Sequence, residues 1–171
     1  MIRPLAVVCA GVTVLASALP AQVPVLERRS MSGPRLGITF VTGSRGEDVL
    51  RQHNLSSPMS QFGWHFEQQV APRGEGPAFV IEEVFLVGAV EQKAVVPAGT
   101  VLFGIRMPSG LEFGMGPNVT PVGTALAMGV GTSIKYGGVS IPLDFAVVTS
   151  PGATRFSFLI GYALQTSGGL Q

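Results

Sequence analysis

Large apolar side chains recur at every second position in several stretches of this chain. In RFSFLIGYAL, residues 155–164, one parity is aromatic or aliphatic and the other is small or polar. Side chains alternate between the two faces of a β-strand, so this period predicts a strand with two chemically different faces. The class of the protein depends on which solvent meets the apolar face.

Eight such segments, separated by turn-forming residues, predict an all-β fold. The predicted strands are 35–42, 60–70, 78–87, 100–106, 111–116, 124–135, 139–148 and 155–164. Turns are predicted at 72–77, 108–110, 117–121 and 137–138. The longest connection, 43–58, contains a predicted helical turn at 47–52. In the third strand Glu82 and Glu83 put a carboxylate on each face, which predicts either a β-bulge or a shift in depth.

Composition indicates an apolar exterior. Only 12% of the 171 residues are charged, against about 25% in a typical protein, and the mean hydropathy is +0.43. The 23 glycines and 13 prolines disfavour a helical bundle. After the amino terminus there is no apolar run of about 20 residues, the length of a membrane-spanning helix. We therefore predict an eight-stranded antiparallel up-and-down transmembrane β-barrel.

In such a barrel the apolar parity faces lipid and the small or polar parity faces the lumen. The predicted lipid-facing aromatic residues are Phe62, Trp64, Phe66, Phe103, Phe113, Phe145, Phe156, Phe158 and Tyr162. The predicted lumen-lining charged residues are His65, Glu67, Arg106, Glu112, Lys135, Asp144 and Arg155. Eight strands enclose only enough room for side chains. We therefore expect the cations to pair with the carboxylates and to plug the lumen; the cations are Arg106, Lys135 and Arg155, and the carboxylates are Glu67, Glu112 and Asp144.

The amino terminus reads as a secretory signal over residues 1–21, with cleavage after Ala18 or Ala21. Cys9, the only cysteine, lies in this signal, so the mature chain has no thiol. Without Arg3, ten basic and ten acidic residues remain, and no basic stripe suggests nucleic acid. The remaining domains are an extended, loosely ordered leader (22–32), the barrel (33–164) and a tail (165–171).

The sequence offers weak support for catalysis or for metal or cofactor binding. His65 and Glu67 share a face, but no GxSxG nucleophile motif is present. Two histidines twelve residues apart, without a cysteine in the mature chain, do not form a metal motif. We therefore assign no catalytic, cofactor-binding or metal-binding residue.

Three segments, LEFGMGPNVTP, IPLDFAVVTSPG and RFSFLIGYAL, resemble small porin-like or opacity-type outer-membrane β-barrels of diderm bacteria. The resemblance covers roughly residues 33–164. It implies export through the periplasm, insertion into the outer membrane by the barrel-assembly machinery, and contact with outer-membrane lipids.

We expect a monomer with a structural or surface-interaction role, in which 43–58 is the longest external segment. Three alternatives remain open at this point: a narrow channel for ions or small solutes, a lipid-modifying enzyme that uses His65, and a secreted soluble barrel of lipocalin type.

Overall fold

The computed structural model describes residues 26–72, 76–136 and 139–166. Their strands are β1 (Leu26–Thr42), β2 (Met59–Pro72), β3 (Ala78–Gly88), β4 (Val96–Arg106), β5 (Glu112–Thr120), β6 (Gly123–Tyr136), β7 (Val139–Ser150), β8 (Ala153–Gly161) and the short β9 (Leu164–Thr166). Helix α1 spans Ser44–Gln52, and a 3-10 helix spans Val90–Gln92. The predicted signal peptide and residues 167–171 of the predicted tail lie outside the described residues.

The sheet closes on itself. Each of β1 to β7 pairs antiparallel with the next strand, and β8 pairs antiparallel with β1, so the predicted eight-stranded antiparallel barrel is confirmed. The register path from Ser30 passes through all eight strands and returns to β1 at Phe40, ten residues further along. This stagger means that the strands are tilted to the barrel axis. Strand β9 pairs with β1 in the same register as β8 does.

Two segments that we predicted as a leader and a turn belong to strands. Strand β1 begins at Leu26, so residues 26–32 are paired with β2 and are not the loose leader we expected. Strand β5 continues through residues 117–120, which we expected to form a turn, because its neighbours also continue there: Asn118 pairs with Thr100 and Ala125. The expected turn at 137–138 lies outside the described residues.

The adjacent carboxylates of β3 require no bulge. Pairing of β3 with both β2 and β4 runs without interruption through Glu82 and Glu83. Glu82 is buried on the inner face, whereas Glu83 is half-buried on the outer face, where it pairs with Phe66 and Val101. The barrel therefore accepts one carboxylate on each side of its wall.

The inner and outer faces have opposite polarity to those of a water-soluble barrel. Large apolar side chains are exposed at outward positions on every strand from β1 to β8, whereas buried inward positions include many polar and charged residues. The exposed outward residues include Leu36, Phe40, Phe62, Phe66, Phe85, Phe103, Ile105, Phe113, Met115, Leu126, Met128, Leu143, Phe158 and Ile160. The arginine and glutamate at the centre of the interior, Arg35 and Glu67, are each only 2% exposed.

The two ends of the barrel also differ. At the end that we call the mouth, the connections 43–58 and 89–95 join β1 to β2 and β3 to β4. Helix α1 begins the first of these connections, and its Leu50 packs with Met59 and Ala89 in a small apolar group, the rim cluster. The backbone N–H of Arg45 donates to the Gly152 carbonyl at 3.1 Å, which fastens α1 to the turn between β7 and β8.

The backbones of β2 and β3 approach each other closely at Gly63 of β2. A Cβ atom at this position would lie 1.9 Å from the carbonyl oxygen of Phe85 on β3, far inside van der Waals contact. At Gly99 of β4, in contrast, a Cβ would meet nothing closer than the Phe85 ring at 3.8 Å. Glycines at bends are a general means of curving a sheet into a small barrel.

We expect Gly63→Ala to destabilise the barrel by about 3 kcal/mol or more, because β2 and β3 would have to separate. Gly99→Ala is the matched control and is expected to change stability by less than about 1 kcal/mol. The measurement is the free energy of unfolding in urea, in detergent micelles. Equal stability of the two variants would show that the backbone contact does not limit closure.

Candidate functional site

The candidate site is the charged interior of the barrel, and Arg106 of β4 lies at one end of it. Its Nε donates to Glu67 Oε1 at 3.0 Å and its Nη2 donates to Glu67 Oε2 at 2.6 Å. The same Nη2 forms an ion pair with Glu112 Oε2 at 2.5 Å, without hydrogen-bond alignment. The two-point contact between the Arg106 guanidinium and the Glu67 carboxylate fixes both side chains. Gln69 Nε2 also donates to Glu67 Oε1, at 2.7 Å.

Arg35 of β1 organises the adjoining part of the interior. Its Nε donates to Asp144 Oδ2 at 3.0 Å, and its Nη2 lies 2.5 Å from His65 Nδ1. A guanidinium can only donate, so His65 Nδ1 is the acceptor and the ring proton is on Nε2. His65 Nε2 points toward Glu82 Oε2, 3.5 Å away. We call these seven residues the ion-pair cluster: Arg35, His65, Glu67, Glu82, Arg106, Glu112 and Asp144.

Strand register explains why these side chains meet. Glu67 pairs directly with Glu82, and Arg106 with Glu112. Gly131 of β6 pairs with Glu112 on one side and with Asp144 on the other. A Cβ on Gly131 would lie 2.5 Å from Glu112 Oε1 and 2.7 Å from Asp144 Oδ1. The missing side chain therefore supplies the space that two carboxylates occupy.

Carboxylates outnumber cations in the ion-pair cluster. The cluster contains four carboxyl side chains, two guanidinium groups and the His65 imidazole. Within the described structure, Asp144 Oδ1 and His65 Nε2 are buried without a hydrogen-bond partner. A cavity of about 70 Å³ borders both residues, which is enough for a few water molecules. Ordered water would satisfy these atoms.

A second polar layer lies nearer the mouth. Asn118 Nδ2 donates to Thr100 Oγ1 at 2.8 Å, and Arg155 donates to the Asn118 side-chain oxygen. Thr39 Oγ1 donates to Gln61 Oε1 at 2.6 Å and lies 2.7 Å from Ser157 Oγ. We call this group the upper polar layer: Thr39, Gln61, Thr100, Asn118, Arg155 and Ser157.

Two of the predicted lumen-lining residues do not join the ion-pair cluster. Arg155 was expected to pair with a carboxylate, but its hydrogen-bond partner is the neutral Asn118, because Arg155 lies near the mouth end of β8. Lys135 is exposed near the opposite end of β6, where β6 extends past the last residue of β5 that it pairs with. The other five predicted residues lie together: His65, Glu67, Arg106, Glu112 and Asp144.

Sequence reasoning missed Arg35 and Asn118. Arg35 could have been found, because Leu36, Ile38 and Phe40 of the same strand point outward and therefore place Arg35 inward. Asn118 was obscured by the flanking prolines, Pro117 and Pro121, which favour a turn.

The predicted outward aromatics all lie on the outward parity of their strands, except Tyr162, which follows β8. Exposed aromatic residues of this set are Phe62, Trp64, Phe66, Phe103, Phe113, Phe158 and Tyr162. Phe145 and Phe156 are half-buried, and their rings stack on each other. Phe145 also contacts Phe158, with ring centroids 4.8 Å apart.

Two features are absent from the part of the chain that the structure describes. No group of three or more His, Cys, Asp or Glu side chains there could hold a metal ion. No helix there is long and apolar enough to cross a membrane.

Comparison with known proteins finds structural similarity at low sequence identity. Two crystal structures of Ail, the attachment invasion locus protein of Yersinia pestis, are similar to this chain at 10% identity, over 82% of this chain and 99% of theirs. The TM-scores are 0.39 for Ail in complex with the heparin analogue sucrose octasulfate and 0.34 for Ail alone. No family model matches the sequence, and neither does any curated protein.

Arg106→Met is expected to destabilise the barrel by about 3–5 kcal/mol, because it leaves Glu67 buried without its cation. Arg155→Met, the matched control, removes a hydrogen bond to a neutral side chain and is expected to cost about 1–2 kcal/mol. Unfolding free energies in urea provide the measurement. Similar losses in both variants would contradict the assignment of distinct roles to these two arginines.

Glu91, in the connection between β3 and β4, makes the stability of the fold depend on pH. The Ser60 hydroxyl and the Ser60 backbone N–H, the latter at 3.0 Å, donate to its carboxylate and lower the pKa of Glu91 from 4.5 to about 2. A lowered pKa stabilises the fold above pH 4.5, and this contribution is lost as the pH falls toward 2. We expect the difference in melting temperature between the wild type and Glu91→Gln to shrink over that interval. A constant difference would contradict this account.

Proposed function

We propose that this chain is an outer-membrane β-barrel protein of a diderm bacterium, with a structural or surface-interaction role and a closed, charged lumen. The observation that carries the proposal is the polarity of the barrel wall: apolar side chains are exposed outside and charged side chains are buried inside. Lipid-facing and lumen-facing residues alternate in this way in membrane barrels. On this proposal the surroundings are outer-membrane lipids, insertion requires the barrel-assembly machinery, and the protein is a monomer.

Burial energetics weigh against a secreted soluble barrel. Exposing apolar surface to water costs roughly 25 cal/mol per Å², and contiguous apolar patches on soluble monomers rarely exceed a few hundred Å². Phe113 is 52% exposed and Met115 57% exposed, and apolar neighbours surround both. A lipocalin-type barrel requires the reverse pattern, with the apolar parity inside.

The filled interior favours a closed lumen over a narrow channel. The ion-pair cluster and the upper polar layer lie on either side of a cavity of only about 70 Å³. The apolar side chains of Leu102, Ala127 and Val148 pack together and line the same cavity. Open aqueous channels are typical of barrels with about 16 strands.

Contacts of His65 give a lipid-modifying enzyme little support. One ring nitrogen contacts the Arg35 guanidinium and the other points toward Glu82. Neither contact is with a hydroxyl group, the kind of nucleophile that a general base would activate. His65 is better explained as a neutral member of the ion-pair cluster.

An ordered mouth supports the surface-interaction role. The Gln92 side chain accepts from the Ser56 backbone N–H at 2.7 Å and donates to the Ser56 carbonyl at 3.0 Å, so the two long connections are joined. With α1 packed through the rim cluster, the mouth presents a preorganised surface. Preorganisation lowers the entropic cost of binding.

Met115→Arg tests the membrane location, because Met115 lies between Phe103 and Met128 on the outer face of the wall. A cation at the midplane of a bilayer costs about 2–4 kcal/mol on a barrel wall. We expect Met115→Arg to lower the yield of folded protein in phosphatidylcholine vesicles, measured as the heat-modifiable band in an unboiled denaturing gel.

Val122→Arg is the matched control, since Val122 is 58% exposed, like Met115, but lies in the turn between β5 and β6. It is expected to insert like the wild type. In a water-soluble barrel both changes would be tolerated equally, and that result would reject the membrane proposal, as would recovery of the wild type in a soluble fraction without detergent.

A further inference from the structure

The mouth contains a larger cavity that the proposed function leaves unused. Its volume is about 470 Å³, within the range of small-molecule sites, which often occur at the mouths of barrels. Helix α1 covers it, with Val49 and Leu50 on the covering side. Thr39, Gln61 and Arg155 of the upper polar layer form its floor. We call this space the mouth cavity.

The lining of the mouth cavity is apolar with a basic bias. Val96, Ala98 and Ala125 contribute strand side chains, and Leu55 contributes one from the first connection. The ionisable side chains at its described lining are Arg45, His53 and Arg155, and no carboxylate is among them.

Among the described residues, three carboxylates lie close to the mouth, those of Glu47, Asp48 and Glu91, and none of them lines the cavity. Asp48 pairs with Arg51 on α1, and Glu91 accepts hydrogen bonds from Ser60. The charged side chains at the described lining of the cavity are therefore both cationic, Arg45 and Arg155.

Arg155 is the residue that points to a ligand. Inside the barrel, Arg35 and Arg106 each have a carboxylate partner, whereas Arg155 has none among the described residues. Its hydrogen bond to Asn118 leaves other guanidinium N–H groups available. A guanidinium withdrawn from bulk water is stabilised by an anion, and its planar geometry suits a carboxylate with two oxygens.

We propose that the mouth cavity binds a small amphiphilic anion, with its carboxylate on Arg155 and its apolar body beneath α1. Arg45 lines the same cavity and adds positive charge. This inference deepens the surface-interaction role and rests on the proposed membrane location. The ligand class is an aryl- or alkyl-carboxylate small enough to enter beside the first connection.

The test uses 4-phenylbutyrate, with 4-phenylbutanol and 4-phenylbutylamine as neutral and cationic analogues. The full mature protein is placed in phosphatidylcholine nanodiscs, and binding is measured by isothermal titration calorimetry against empty nanodiscs. We expect the carboxylate to bind at least tenfold more tightly than the alcohol, and the amine to bind more weakly still. Equal affinities for the three compounds, or no binding of the carboxylate, would overturn the proposal.

Arg155→Met is expected to weaken 4-phenylbutyrate binding at least tenfold while leaving 4-phenylbutanol binding within twofold. Arg51→Met, which removes an exposed arginine of α1 outside the cavity, is the matched control and is expected to bind like the wild type. If Arg155→Met fails to fold, Val49→Trp fills the cavity from α1 and should abolish binding of the acid and the alcohol alike. Unchanged binding in whichever variant folds would overturn the proposal.

Failure of the proposed function has a different signature. A chain that does not enter nanodiscs and shows no heat-modifiable band contradicts the membrane location. A chain that inserts and folds but ignores 4-phenylbutyrate contradicts the mouth cavity proposal alone.

Discussion

Closing eight strands into a barrel leaves an interior that side chains must fill, and the rest of this structure follows from that limit. The inner face carries Arg35, Glu67 and Arg106, whose charges are costly to bury unless they are paired. With so little space, each guanidinium reaches carboxylates from other strands. The resulting network ties β1 to β7 and β4 to both β2 and β5.

Small residues are as important to this interior as charged ones. Gly131 leaves room for the carboxylates of Glu112 and Asp144, and Gly63 lets β2 approach the backbone of β3. The small and polar parity of the strands thus has two functions. It supplies the charges that pair, and it removes the side-chain volume that would prevent them from meeting.

The mouth differs from the barrel interior in its charge pairing and in its lining. There Arg155 has a neutral partner, and the space above it is covered by α1 and lined mainly by apolar side chains. In the ion-pair cluster Arg35 and Arg106 each contact a carboxylate from another strand, so the cluster joins the strands of the wall. The mouth cavity has Arg45 and Arg155 at its described lining and no carboxylate, and it is the place where we propose that a ligand binds.

Alternation along each strand is a local property, and it was therefore predictable from the sequence. It yielded the eight strands, the outward position of Phe113 and Phe158, and the inward position of Glu67 and Glu112. The same rule places Arg35 inward, although we did not apply it there. Strand ends were less predictable: Asn118 follows a proline that favours a turn, and only its neighbours on β4 and β6 extend β5 through it.

What only the tertiary structure decided is which inward residues are neighbours. Parity puts Arg106, Lys135 and Arg155 on the same face, yet the stagger of the register separates them along the barrel axis. Arg106 meets Glu67 in the ion-pair cluster, Arg155 meets Asn118 near the mouth, and Lys135 lies exposed at the far end. A strand's period of two determines which face a side chain occupies, but its partners depend on how the strands are aligned around the closed sheet.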